Sequence, residues 1–571
     1  MSDPLLPQPR HVDLSTQLVD AGEPQFVADS SLPAQGYRIT IASDGATVEA
    51  ADDAGRFYAE RTWSQLVRNH GGQVPIGRVE DWPDLAVRGV MLDISRDKVP
   101  TVATLRALID RLASWKINQV QLYTEHTFAY RDHREVWKDA SPLTAEDIRE
   151  LDQFCRDRHI ELVPNQNCLG HWERWLRHDR YRSLALAPEG WDERGRHREP
   201  TTIDPSKPGA LSLVRELLAE LLPNFTSRRI HVGLDEPWEL PKERIDDYLT
   251  WIAALRSAPE LESREMLIWG DILEARPDLL RRLPVQTTVC EWWYDAGYPW
   301  SAKGEAYQRS GIPWWVCPGT SSWQTILGRW DNAMADIGEA ADGALEHGAT
   351  GMLVTDWGDR GHLQFLPISE PGFAWAAAQS WCREANRGLD LPAALDTHCY
   401  GDSSRQIGSV LRDLGNAYLA IKPQFPNLST LVLHLYFPQM QIGRSFTEGI
   451  SDEQVAKAEA ILEDCAARLG SVKLERDDGA LVLDELQTAI ELVRLLCRDL
   501  HARLDTDGWL ASIPESTRAT FAGELSTIIS SYRERWLARN GPGGLDDSVA
   551  WLEHLRTCYR TGETEKYWGG W

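Results

Sequence analysis

The sequence predicts an α/β fold: a (β/α)8 TIM barrel, preceded by a small α+β domain and followed by a helical C-terminal domain. Three observations carry that prediction. Between Arg88 and about residue 388, eight short apolar runs alternate with segments of helical spacing, the count of a (β/α)8 barrel. The first run, Gly89-Val-Met-Leu-Asp-Ile94, is almost continuously apolar, as a parallel strand buried on both faces must be, and no glycine-rich phosphate turn follows it, which disfavours an open doubly wound sheet. Beyond residue 388 the strand signals stop and long amphipathic helical patterns take over.

Residues 1–85 form the first unit. Residues 37–41 alternate like a strand and pair with 46–50 across Ser43-Asp44-Gly45, and 53–67 follow as a helix with Phe57, Tyr58, Trp63 and Leu66 on its apolar side. Residues 75–83, rich in turn formers, read as the linker into the barrel. The barrel spans 86–388, with strands at 89–94, 119–123, 160–164, 230–234, 266–269, 285–290, 314–317 and 351–355. Helix 101–116 carries Leu105, Leu108, Ile109 and Leu112 at helical spacing, Thr144 to Asp147 opens another helix as a capping box, 208–222 leads into the fourth strand, and 371–385 closes the barrel. In the third unit, 389–571, helices are expected at 453–469, 480–504 and 516–539, as a packing or dimer element.

The chain has 571 residues, 42% of them apolar and 26% charged, enough for several domains with a large core. The net charge of −26 is dispersed along the chain and argues against nucleic acid and anionic membrane surfaces as partners. Nine cysteines without a Cys-x-x-Cys pair fit reduced thiols, and no signal peptide or spanning segment is read, so a cytoplasmic protein is expected. The 25 tryptophans lean toward a carbohydrate site, because indole faces pack on the apolar faces of sugars.

The candidate site begins at Arg229-Ile-His-Val-Gly-Leu-Asp235-Glu236-Pro-Trp238. An apolar run ends abruptly at two carboxylates, and Pro237 stops the strand, so Asp235 and Glu236 sit at its carboxyl end, where barrels bind ligands. Adjacent acids recur at Glu80-Asp81, Glu146-Asp147 and Asp246-Asp247; position after a buried strand sets this pair apart. Past the other strands come Arg96, then Glu125 and His126, Asn165, Asn167 and His171, Asp271, Glu291, Trp292 and Trp293, Trp323, and finally Asp356, Trp357 and Asp359. Carboxylates, imidazoles, amides and indoles are the mixture a sugar site needs. The first strand lacks the histidines of a metal-dependent hydrolase, and no Gly-x-Ser-x-Gly elbow ends a strand, so no metal and no cofactor is expected.

These motifs resemble glycoside hydrolase family 20, the β-N-acetylhexosaminidases, through the barrel and the small domain before it. Arg88 to Arg96 resembles the family's first strand, Pro164 to His171 its third-strand motif ending in Gly-His, His231 to Glu236 its catalytic His-x-Gly-Gly-Asp-Glu, and Trp269-Gly-Asp271 its fifth strand. The resemblance implies exo-acting, substrate-assisted retaining hydrolysis of terminal β-linked GlcNAc or GalNAc on an oligosaccharide or glycoconjugate. Glu236 would be the general acid and base, and Asp235 would orient and stabilise the acetamido group. It implies Arg88 on the sugar hydroxyls, Trp269, Trp292 or Trp293, and Trp357 as walls, Asp359 on the 4- and 6-hydroxyls, and His171 in a relay to Glu236. The chain departs from the family where Trp323 and Thr325 align with a tyrosine and an aspartate past the seventh strand, where Glu125-His126 replaces an Asp pair, where Asn167 replaces an Asp, and where Gly233-Leu234 replaces Gly-Gly. The alternatives are a retaining glycosidase of the same fold acting on another β-hexoside, and a non-catalytic sugar-binding barrel.

Overall fold

A computed structural model of the chain describes residues 4–567, apart from 97, 194, 275 and 566. The N-terminal unit is a five-stranded sheet backed by one long helix. Its strands are β1 (His11–Asp20), β2 (Gln25–Ala28), β3 (Tyr37–Ala42), β4 (Gly45–Ala50) and β5 (Gln73–Asp81), in the order β1-β5-β3-β4-β2. The β3–β4 hairpin pairs as its alternation requires, with Ile39 opposite Val48, and the helix Asp53–Asn69 is capped by the Asp52 carboxylate on the Gly55 N–H.

The segment read as a linker is β5, which pairs with both β1 and β3 inside the sheet. Its turn-forming residues have structural uses. Gly77, at φ +148°, lets the opposing strand approach so closely that a Cβ there would lie 2.1 Å from the Asp13 carbonyl oxygen, and the register shifts between Leu14 and Leu18. The strand ends at Asp81, whose buried carboxylate accepts from the Tyr37 hydroxyl at 2.6 Å and pairs with Lys116 Nζ at 2.9 Å, joining the sheet to the barrel.

The barrel is closed and parallel. Its strands are β6 (Val87–Asp93), β7 (Gln119–Thr124) and β8 (Glu161–Gln166); then, after a small hairpin of β9 (Trp191–Glu193) and β10 (Arg196–Arg198), β11 (Arg229–His231), β12 (Glu265–Trp269), β13 (Thr287–Trp292), β14 (Trp314–Cys317) and β15 (Gly351–Asp356). Closure runs through β15 and β6, with Val354 opposite Val90. The lumen is packed with Met91, Tyr123, Leu267, Trp269, Cys290, Trp315, Cys317, Trp323, Leu353 and Trp357, so it is a core rather than a pore. All nine cysteines are buried and unpaired. The capping box at Thr144 and Asp147 is formed in full.

The closing helix is Leu366–Trp381, earlier than the expected 371–385, and it carries Pro371 internally. The expected C-terminal helices are Asp452–Leu469, Gly479–Leu504 and Glu515–Arg539, and Leu545–Thr561 adds one that the sequence reading lacked. Arg476, just before the second of these, pairs with buried Glu370 of the closing helix at 3.0 Å, and Arg539 at the end of the third joins it to the second through Glu485 at 2.6 Å. Tyr532 donates to the carbonyl of His362, in the loop after β15, at 3.2 Å. Lys98 Nζ donates to the His362 and Gln364 carbonyls at 3.3 and 2.5 Å, so this loop is clamped from both sides. Among the described residues, no helix is long and apolar enough to cross a membrane.

Candidate active site

A cavity of about 180 Å³ opens at the carboxyl ends of the strands. It is lined by Arg96, His171, Asp235, Glu236, Trp269, Trp292, Trp293, Tyr294, Asp295, Trp357, Asp359, Pro426 and Asn427.

The acid pair is set by an irregular strand end. β11 pairs over only three residues, yet the chain stays in the barrel wall, with Val232 N–H on the Leu267 carbonyl at 2.9 Å and Trp269 N–H on the Gly233 carbonyl at 3.0 Å. Gly233 (φ +69°), Leu234 (φ +75°) and Glu236 (φ +48°) then take left-handed conformations that turn both carboxyls to the mouth. Gly233 must be glycine: a Cβ there would stand 2.6 Å from Asn167 Cγ. That close approach lets Asn167 Nδ2 donate to Asp235 Oδ1 at 2.8 Å. The Glu236 N–H donates to Asp271 Oδ2 at 3.0 Å. Glu236 is the more open of the pair, its side chain 35% exposed against 9% for Asp235. That suits a proton donor to a substrate atom beside a buried charge that stabilises one.

His171 bridges the two. Its Nε2 lies 3.2 Å from Asp235 Oδ2 and 3.5 Å from Glu236 Oε2, and its Nδ1 is 4.0 Å from Glu125 Oε1. Burial disfavours a charged imidazole, but the surrounding carboxylates outweigh it and raise the His171 pKa well above its usual value. Burial likewise opposes ionisation of Asp235, yet the His171 charge and the His171 and Asn167 hydrogen bonds hold its carboxyl below the usual range. Asp271 goes the other way: burial, reinforced by Asp235, pushes its carboxyl up to about 8. Burial also raises Glu125 to about 8, against the pull of Arg96 and His171. Ligand atoms of His171, Asp235 and Glu236 lie within 4.8 Å of one another, so these are the described side chains close enough to hold a metal ion. Their separations are equally those of an imidazolium shared between two carboxylates.

The indole walls come from three strands. Trp269 ends β12, Trp292 ends β13 with Trp293 next, and Trp357 follows β15. Trp292 stacks on Tyr294 at 5.1 Å, and Trp357 Nε1 donates to the Tyr294 hydroxyl at 2.7 Å. Arg96 lies over Trp357 at 5.3 Å and pairs with Glu125 at 3.2 Å. Asp359 lines the same wall; burial raises its carboxyl, with Arg96 acting against that.

Several expected residues lie elsewhere. Arg88 is the second residue of β6, at the amino end of the strand and so at the opposite end of the barrel from the cavity. It is 1% exposed. Its guanidinium donates to the Lys116 and Leu85 carbonyls and to Gln35 Oε1, each at 2.9 Å, so it ties the small domain to the barrel and lies outside the cavity lining. Glu125 and Asn167 stand behind the lining, joined through Tyr123, whose hydroxyl donates to Glu125 at 3.0 Å and accepts from Asn167 at 3.1 Å. His126 is buried beside them and outside the lining. Trp323 is in the lumen core, edge-on to Tyr294 at 5.0 Å, and Thr325 caps a turn by accepting the Gly328 N–H. The tyrosine and carboxylate at the cavity are instead Tyr294 and Asp295, past the sixth strand; they directly follow the tryptophan pair and could have been read with it. Pro426 and Asn427, from the C-terminal unit, had no sequence signal.

The model of the glycosyl hydrolase family 20 catalytic domain matches residues 86–321, and that of the family's domain 2 matches residues 5–82. Together they span more than half of the chain. This protein belongs to glycosyl hydrolase family 20. The match to the family's catalytic model stops before β15, so Trp357, Asp359 and the helical unit lie beyond it. A lacto-N-biosidase of Bifidobacterium bifidum is 29% identical over 46% of this chain and 24% of its own length. A β-hexosaminidase of Akkermansia muciniphila is 26% identical over 41% of this chain and 52% of its own. These matches cover about a quarter and about half of the curated relatives. Among solved structures, the exo β-N-acetylglucosaminidase of Vibrio harveyi in complex with N-acetylglucosamine superposes with a TM-score of 0.58 at 16% identity, covering 72% of this chain and 78% of that one. The β-N-acetylhexosaminidase of Bacteroides fragilis gives 0.54 at 19% identity, covering 66% and 90%. Both likenesses concern the fold.

Proposed function

We propose that this family 20 protein is an exo-acting β-N-acetylhexosaminidase that removes terminal β-linked GlcNAc or GalNAc with retention, the substrate's own acetamido group serving as nucleophile. One observation carries the reading: Asp235 and Glu236 stand side by side at a strand end and line an indole-walled cavity of about 180 Å³, small enough for one sugar unit.

The sugar ring would lie against Trp269, Trp292 and Trp357. The acetamido oxygen attacks the anomeric carbon as Glu236 protonates the departing glycosidic oxygen, giving an oxazolinium. Asp235, kept ionised by His171 and Asn167, accepts the acetamido N–H and stabilises the positive charge as it develops. The Tyr294 hydroxyl already accepts from Trp357, so its own proton is available for the acetamido oxygen. Water then enters, Glu236 takes its proton, and the ring opens to product. The nine buried thiols favour a reducing, cytoplasmic setting as part of the same proposal.

The test is a panel of aryl β-glycosides with and without the 2-acetamido group, together with a thiazoline mimic of the oxazolinium. Turnover confined to the acetamido sugars, with inhibition by the thiazoline, is expected. Equal turnover of the matching glucoside would replace this reading with a glycosidase for a different β-hexoside, and sugar binding with no turnover would leave a sugar-binding barrel.

A further inference from the structure

The C-terminal unit does more than pack against the barrel. Residues 425–428 form a tight turn bridged between Phe425 and Leu428, and its tip, Pro426 and Asn427, lines the same cavity as Asp235 and Glu236. The turn is held by the barrel. Asp295, also in the cavity wall, accepts the Asn427 N–H at 3.0 Å through Oδ2, while its Oδ1 pairs with Arg329 at 2.6 Å. Arg329 is itself buried; it donates through Nε to Ser321 Oγ at 3.0 Å and through Nη1 to the Phe425 carbonyl at 3.5 Å. One carboxylate and one guanidinium thus fasten the turn to the loops after β13 and β14. Asn427 sits at φ +53°, a conformation asparagine tolerates better than most residues. Its backbone is fixed, its carboxamide makes no hydrogen bond among the described residues, and it faces a cavity of polar groups and indoles.

We infer that Asn427 is a sugar-binding and specificity-determining residue, its carboxamide exchanging a hydrogen bond with a hydroxyl of the sugar held in the cavity. The helical unit then completes the subsite that the barrel begins. A neutral carboxamide both donates and accepts, so it reads the orientation of a ring hydroxyl where a carboxylate could only accept. The inference rests on the hexosaminidase reading for the identity of the sugar, not for the contact itself.

The direct test is Asn427→Gly, which keeps the left-handed turn and removes only the carboxamide, with Arg329→Ala as a second variant that loosens the anchor. For Asn427→Gly, KM for an aryl β-N-acetylglucosaminide should rise about three- to tenfold, the loss of one hydrogen bond to a neutral group, with kcat within about twofold. The Kd for free N-acetylglucosamine, by calorimetry, should weaken in parallel, and the ratio of kcat/KM between the GlcNAc and GalNAc glycosides should change. Arg329→Ala should reproduce the KM effect. Unchanged KM, Kd and epimer ratio in Asn427→Gly would overturn the inference while leaving the hexosaminidase reading intact. An effect seen with a disaccharide but not with the free monosaccharide would overturn the placement on the bound sugar. If the wild type binds N-acetylglucosamine without hydrolysing any glycoside, the function reading fails and the Kd comparison still decides the contact; if it does neither, both fall.

Discussion

The backbone N–H of Glu236 donates to Asp271 Oδ2 at 3.0 Å, so the left-handed residue that carries the candidate acid is pinned by a neighbouring strand's carboxyl. The other Asp271 oxygen is buried without a partner, and burial beside Asp235 raises the Asp271 pKa from the ordinary 3.8 to about 8. Asp271 is therefore protonated at neutral pH. A carboxyl whose folded pKa is raised contributes its full stability below the unfolded value and loses it as pH climbs through the folded one. Asp271→Asn keeps the oxygen that receives Glu236 N–H and does not titrate. Its melting temperature relative to wild type should therefore improve as pH rises from about 4 to about 8. A difference that stays constant over that range contradicts this account of Asp271.

His171 keeps Asp235 ionised. In His171→Gln the imidazolium is gone, the Asp235 pKa rises, and kcat should fall about 10- to 100-fold, the range for a charge-assisted hydrogen bond. The acid limb of the kcat/KM profile should move to higher pH, because Asp235 then protonates earlier on acidification. A fall in kcat with an unmoved acid limb would show that His171 acts by some other route.

Gly233→Ala combines a strained φ with a Cβ 2.6 Å from Asn167 Cγ. It should cost about 1–3 kcal/mol of stability and displace the Asn167–Asp235 contact. Chemical denaturation reads the first and kcat the second; full activity would mean that Asn167 need not hold Asp235.

Arg88 separates structure from family expectation. Its guanidinium satisfies carbonyls at the base of the barrel, so Arg88→Met should destabilise the fold by about 2 kcal/mol or more through the acceptors it strands. KM of the folded protein should be unchanged. A rise in KM without loss of melting temperature would return Arg88 to the sugar.

The barrel was legible because strands buried on both faces and helices with one apolar stripe leave distinct periods in the sequence. The acid pair was legible because Pro237 marks where its strand stops. β5 was hidden because Pro75 and Gly77, signals of a turn, serve in a bulged strand whose partners lie far away in sequence. The resemblance implies Arg88 on the sugar, whereas its position at the start of a strand places it at the far end of the barrel. Tyr294 and Asp295 follow the sixth barrel strand, whereas the resemblance places the tyrosine past the seventh. Asn427 could not be read at all: it meets Asp295 across 132 residues, through a backbone N–H that any non-proline residue supplies.

The most direct measurement is kcat for Glu236→Gln on an aryl β-N-acetylhexosaminide, with melting temperature and N-acetylglucosamine affinity recorded on the same protein. The account predicts a loss of about 100- to 10,000-fold in kcat with fold and binding retained. A folded Glu236→Gln protein that turns over at the wild-type rate would contradict it.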